Sequence, residues 1–261
     1  MSIIRLASLF FKVGALNELQ YRVNFFIQLL ESGVALAVGL IGLALVFNHT
    51  TELAGWSRPE LLAVMGVHIL MGGFIRMLVQ PNMQRLMSDV QEGTLDYALT
   101  KPADSQTLVS VRELRIWQLV DVVIGLVVLS AAIVQLQEWL SVWQSLAFVA
   151  ALLCGGAMIY SFWLILTTGA FWVVRVDNII ELFDGVYRAG QWPVGIYPDW
   201  LRTGLTFLVP IAFAVTVPAE ALVGRLTWPT LLGAFALAAA LLAFARWFWF
   251  FGLKHYSGAS A

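Results

Sequence analysis

Four ionisable residues lie inside otherwise apolar stretches of this chain: Glu31, His68, Arg76 and Asp121. A charge at membrane depth is costly, and it persists where it is paired, lines a polar route or does chemistry. Glu31 is six residues from the start of one apolar stretch and Arg76 four from the end of the next. At helical rise these depths are roughly 9 and 6 Å. Their match predicts an ion pair between them, with snorkelling of Arg76 to the interface as the alternative. His68 reads as a packed, hydrogen-bonded helix residue rather than a metal ligand. Asp121 reads as the acceptor of a helix–helix hydrogen bond or as the wall of a polar route. Nothing completes a reactive set around them: GxxxxGK[ST], HExxH, CxxC and GxSxG are all missing, and the three histidines are scattered. The sequence therefore assigns no catalytic residue, no metal ligand, no cofactor held by this chain and no nucleic-acid partner.

The elements that must position these residues are membrane helices. Of 261 residues 60% are hydrophobic and only 12% charged, and the mean hydropathy is +0.83. A soluble chain carries roughly a quarter charged residues. Six apolar stretches, 25–47, 61–80, 111–134, 145–174, 201–222 and 230–251, each reach the ~20 residues that cross a bilayer. Ahead of them, residues 1–24 carry apolar residues at three- and four-residue spacing beside Arg5, Lys12 and Arg22, the pattern of an amphipathic helix lying in the interface. No cleavable signal is evident. The expected fold is an all-α integral membrane protein, with the interfacial helix followed by a six-span domain over 25–261.

Lys and Arg near span ends set the orientation. With the N-terminus inside, 13 of the 15 fall on the inner side, and only Arg58 and Arg225 lie outside. Both termini are then cytoplasmic, and the long connections 81–110 and 175–200 face the cytoplasm. Ten of the 11 Trp fall near span ends and read as interfacial anchors. Pro210 and Pro218 predict a kinked, broken or re-entrant fifth span. Cys154 reads as a buried thiol without a redox role.

The first long connection holds the longest polar run between apolar stretches, Gln91 to Gln106. Gly93 permits a chain reversal, Thr94 to Leu99 predict a short helix with Leu95 and Leu99 on one side, and Pro102 stops it. Such a helix fits a socket on a partner. In the second connection Ile179, Ile180, Phe183 and Tyr187 recur at helical spacing, with Asp177, Glu181 and Asp184 elsewhere. They suggest either another contact or an extension of the fourth span.

The stretch EGTLDYALTKP resembles the G-x-L-D-x-x-L-x-x-P signature found after the second span in bacterial ABC transporter permeases of the ABC-2 export type. YPDWLRTGLTFLVPIAFAVTVPAEALVG and the C-terminal GLKHYSGASA are similar to two further stretches of that group, in the same order. The resemblance covers essentially the whole chain. It implies a membrane subunit in the bacterial inner membrane, working with a second permease, identical or sibling, and with a cytoplasmic ABC ATPase dimer that carries ATP and Mg. It also implies that Glu92, Gly93, Leu95, Asp96, Leu99 and Pro102 form a coupling helix seated in the ATPase. Ile180, Phe183, Asp184 and Tyr187 are the candidate second cytoplasmic contact. Outward transport is implied by the resemblance alone.

Short outer loops and an apolar interior suit lipid-like, amphipathic or polymer-linked cargo. Two other classes are weighed against this reading: an integral-membrane enzyme acting on lipids through Glu31, His68 and Asp121, and a stand-alone secondary transporter. The first lacks a clustered acid, base or metal set. The second lacks the paired interrupted helices that such transporters carry in corresponding halves.

Overall fold

The computed structural model describes residues 22–137, 140–172 and 179–256. Residues 1–21 of the interfacial helix expected at 1–24, Trp139, Arg175, Asp177 and the last five residues lie outside this set, and residues 22–24 open the first long helix.

Among the described residues the protein is helical, with no strand. Five helices are long and apolar enough to span a membrane: α1 (Val23–Phe47), α2 (Arg58–Gln91), α5 (Ile116–Leu136), α6 (Val142–Phe171) and α10 (Trp228–Leu253). Between α2 and α5 run two short helices, α3 (Asp96–Leu99) and α4 (Ser105–Val109). Between α6 and α10 lie α7 (Ile179–Ala189) and a pair, α8 (Asp199–Leu208) and α9 (Ala212–Leu222), bent by 77° at Val209–Ile211. The end carrying α3 and α4 is termed the connector end, and the opposite one the far end.

Local chemistry sets where the spans start at the far end. Ser57 donates its backbone N–H and hydroxyl to Glu60, and Ser141 exchanges hydrogen bonds with Gln144, so α2 and α6 each open on a capping box. Thr227 caps α10 through the Thr230 N–H. Within α2 the backbone loosens to a π turn at Ile75–Val79 just before Pro81. Pro81 has no N–H for the carbonyl of Met77, and the N–H of Arg115 takes that place at 3.1 Å. The helix thus continues to Gln91, eleven residues past the expected end of the second span.

The helices are held together by close backbone approach as well as by apolar burial. The most extensive contact joins α2 and α5, where a Cβ on Gly125 would lie 2.6 Å from the backbone of Leu70. Likewise a Cβ on Gly155 of α6 would lie 2.4 Å from the Phe213 carbonyl of α9. Small residues at such points permit the van der Waals contact that drives association in lipid, where the hydrophobic effect between helices is absent. Trp163 and Trp249 are fully buried and Trp56 nearly so. Trp56 and Trp249 therefore depart from the expected interfacial anchors, whereas Trp143, Trp172, Trp200, Trp228 and Trp247 are exposed.

The largest departure concerns 175–200, expected as an inner loop. Phe183 packs on Trp163 of α6, with ring centroids 4.9 Å apart. One turn later Tyr187 stacks on His68 at 4.5 Å and donates its hydroxyl to the His68 carbonyl at 2.9 Å. A Cβ on Gly190 would meet Ile211, and one on Gly39 would meet the Gln191 amide and the Met65 sulfur. Val194 then donates to Thr216 of α9 at 3.4 Å. Helix α7 thus climbs from the connector end into the bundle and delivers the chain to the level of α9. The aromatic spacing was legible as a helix, but the burial of Tyr187 depends on His68, 119 residues away in sequence. After α9 the chain is at the far end, where Arg225 bonds Glu60 at 2.7 Å and the Gly55 carbonyl at 2.7 Å. Pro210 stands in the break, as expected, whereas Pro218 lies inside α9.

Candidate functional site

The connector is tied to the membrane helices by two buried side chains. Asn82 is fully buried at the start of the last turns of α2. Its carbonyl oxygen accepts the N–H groups of Arg112 and Glu113 at 2.7 and 2.9 Å, and its amide donates to the carbonyls of Leu78 and Glu113 at 2.7 and 2.8 Å. Asp89, 2% exposed, pairs with Arg112 at 2.7 Å and Arg85 at 3.0 Å. Its own carbonyl accepts the N–H groups of Thr94 and Leu95. Between these anchors Gly93 takes a left-handed φ of +68° that reverses the chain.

Helix α3 faces opposite to the expected arrangement. Leu95 is fully buried in the protein's own core, Ala98 nearly so, and Leu99 is half-buried. These side chains lie against the bundle, and an apolar side chain next to a core gains most by entering it. The outward side carries Glu92, Asp96, Pro102 and Tyr97, which is 77% exposed. Below α3, Asp104 caps α4 and receives Arg246 of α10 at 2.9 Å. The Arg246 hydrogen bond, with help from Thr107, holds its carboxyl down at about 2. Tyr160 of α6 bonds Gln106 and Ser110 at 3.1 and 2.8 Å, and Trp249 donates to Ser105 at 3.2 Å.

The ionisable residues inside the spans gather differently from their expected pairing. Arg76 pairs with Asp121 at 2.7 Å, and Glu31 is exposed on another side of α1, without an ion pair among the described residues. Equal depth did not bring Glu31 and Arg76 together because Glu31 is rotated away from α2. Asp121 also accepts from Ser32, and Arg76 donates to Gln118 at 3.2 Å. Gln118 donates to Gln28 at 2.7 Å and Gln28 to Ser32 at 3.0 Å. One polar network therefore joins α1, α2 and α5. Above it, Ser32, His68, Arg76, Asp121, Arg188 and Gln191 contribute to a cavity of about 420 Å³. In α7, Phe183 and Tyr187 are buried while Ile180 and Asp184 are half-buried, so the two aromatics are turned into the protein. Among the described residues no group of His, Cys, Asp and Glu could hold a metal ion.

A family model described as ABC-2 family transporter protein matches residues 34–260. The chain belongs to this family. No curated protein and no solved structure matches it. In this ABC-2 transporter protein two of the stretches that carried the resemblance converge at the connector. A Cβ on Gly252 would lie 2.6 Å from Thr168 at the end of α6. That approach sets Tyr256 against Phe171, with ring centroids 5.6 Å apart. Burial, together with the nearby carboxylates of Asp96 and Asp89, pushes the Tyr256 phenol above its ordinary value. The remaining stretch, from Tyr197 on, forms the bent pair α8–α9. Asn82 and Tyr97 were not singled out from the sequence, and Arg112 and Arg188 served only to set orientation. The spacing of Arg85 and Asp89 was a readable helix pair, whereas the partners of Asn82 lie thirty residues away.

Proposed function

We propose that this ABC-2 protein is the membrane permease subunit of an ATP-driven exporter in a bacterial inner membrane. It works beside a second permease, identical or sibling, and a cytoplasmic ATPase dimer that carries ATP and Mg. The observation that carries this reading is the pinned connector. Asn82 and the Asp89–Arg85–Arg112 cluster make α3, the end of α2 and the approach to α5 one body, so a push on α3 is delivered to two spans. Such a push biases a two-state arrangement of the spans only if the partner contacts differ between the states.

In this mechanism Glu92, Asp96 and Tyr97 meet the ATPase, Gly93 and Pro102 shape the ends of α3, and Leu95 and Leu99 seat it on the bundle. A large aromatic at the centre of a polar surface is the kind of anchor on which association energy concentrates. Cytoplasmic placement of the connector is supported by charge. Arg85, Lys101, Arg112, Arg115 and Lys254 gather at that end, against Arg58 and Arg225 at the far one. Of the four candidate residues for a second contact, Phe183 and Tyr187 are buried and Ile180 and Asp184 half-buried, and the exposed side of α7 carries Glu181, Leu182 and Val186.

The test is a mild-detergent pull-down of the tagged full chain from its native membrane, with identification of bound proteins and an ATPase assay. Recovery of a P-loop ATPase that is lost with Tyr97→Ala, while the variant still inserts in the membrane, is the expected outcome. Recovery of the chain alone under several detergents would refute the coupling role.

A further inference from the structure

We infer that the cavity between α1, α2 and α7 is a binding site for one anionic oxygen group, phosphate or carboxylate, carried by an amphiphile of the bilayer. Its walls come from Ser32 and Leu36 of α1, Met65, His68 and Arg76 of α2, and Arg188 of α7, which is exposed where the cavity opens; its volume is about 420 Å³. His68 lies ten residues inside α2 from the far end. At helical rise this is about 15 Å, the middle of a hydrocarbon layer roughly 30 Å thick. Tyr187, held to the His68 carbonyl, keeps neighbouring Arg188 near that level.

The charges do not cancel. Asp121 is already matched by Arg76 at 2.7 Å, and Arg188 has no ion pair among the described residues. The cavity therefore carries about one uncompensated positive charge, on a guanidinium suited to two-pronged contact with a phosphate or carboxylate. A cation at this depth is expensive unless an anion or water reaches it. Polar groups of Gln191 and Ser32 share the walls with apolar Leu36, Val38, Met65 and Ile69. His68 adds a buried Nδ1 without a hydrogen-bond partner. Acidic and aliphatic complements are thus wanted side by side, which a free inorganic anion supplies only in part and an anionic amphiphile in full.

As a place where cargo is held, the site rests on the permease reading. Binding itself needs no ATPase, so the two ideas fail separately. The experiment places the full-length chain in phosphatidylcholine nanodiscs containing spin-labelled phosphatidic acid or stearate, and follows the immobilised fraction by electron spin resonance. Spin-labelled diacylglycerol is the neutral control. The anionic probes are expected to bind, with affinity falling roughly tenfold in Arg188→Gln, the loss of one charge-assisted contact. Arg188→Lys keeps the charge without the two-pronged contact and should bind between wild type and Arg188→Gln. Equal affinity in wild type and Arg188→Gln, or equal binding of the diacylglycerol probe, would overturn the proposal. Displacement by inorganic phosphate at constant ionic strength would overturn the amphiphile as source and assign the site to a free anion.

Discussion

Asn82 satisfies four backbone groups from a position with no exposure, so removing its amide strands buried donors and acceptors together. Asn82→Ala is expected to destabilise the connector by about 2–3 kcal/mol. Proteolysis should cut between Glu92 and Arg115 sooner in this variant than in wild type, with membrane insertion unchanged. Arg76 and Asp121 give a second test at this scale. Either single reversal leaves an unmatched charge beside the other, at a cost of roughly 2–4 kcal/mol given that the Arg76 side chain is a third exposed. Arg76→Asp combined with Asp121→Arg should recover most of the lost thermal stability. A reversal of Glu31 should not couple to Arg76 at all, which a double-mutant cycle reads directly.

Asp104 makes a pH statement. Its carboxyl is held below the ordinary value by Arg246, so the ionised form is favoured in the folded protein. The stability it contributes is fully present above about pH 4 and is lost as pH falls towards 2. Melting temperatures of wild type and Asp104→Asn should differ at pH 6 and converge in acid. A difference that persists unchanged at pH 2 would remove the ion pair as its cause.

Helices meet here through absent side chains. Gly125 has backbone atoms of Leu70 where a Cβ would stand, and both are rigid parts of spans, so nothing flexible can yield. Gly125→Val is expected to separate α2 from α5 at a cost of about 3 kcal/mol or more, at the upper end of overpacking. Gly33, which has open space around it, is the matched control: Gly33→Ala should leave the melting temperature near that of wild type. Periodicity announced that α3 would have an apolar side. Whether that side seats on a partner or on the bundle depends on where α2 ends, and the continuation of α2 past Pro81 places Leu95 and Ala98 in the protein's own core. The same burial leaves Tyr97 and Asp96 as the outward chemistry of the connector.

Across the whole molecule the path of α7 decides the topology. In a Cys154→Ala background, Gln191→Cys should resist a membrane-impermeant maleimide added at the connector side, whereas Glu92→Cys should react readily. Equal reaction of the two would restore 175–200 to the surface at that end. The bent pair α8–α9 then has no need to cross the bilayer a full time, since Val194 already stands beside Thr216. Membrane class, helical content, five of the spans, the proline break and the outline of the connector all follow from composition and local pattern, because a bilayer demands long apolar helices and prolines act on their own turn. Partnerships do not follow. That Arg76 meets Asp121 rather than Glu31, that Tyr187 enters the bundle, and that Arg188 is left without a counter-charge beside a cavity are set by helix rotation and by approaches at Gly125, Gly155 and Gly190. Depth along a helix is written in one dimension of sequence, whereas the direction a side chain faces is chosen only when the other helices are in place.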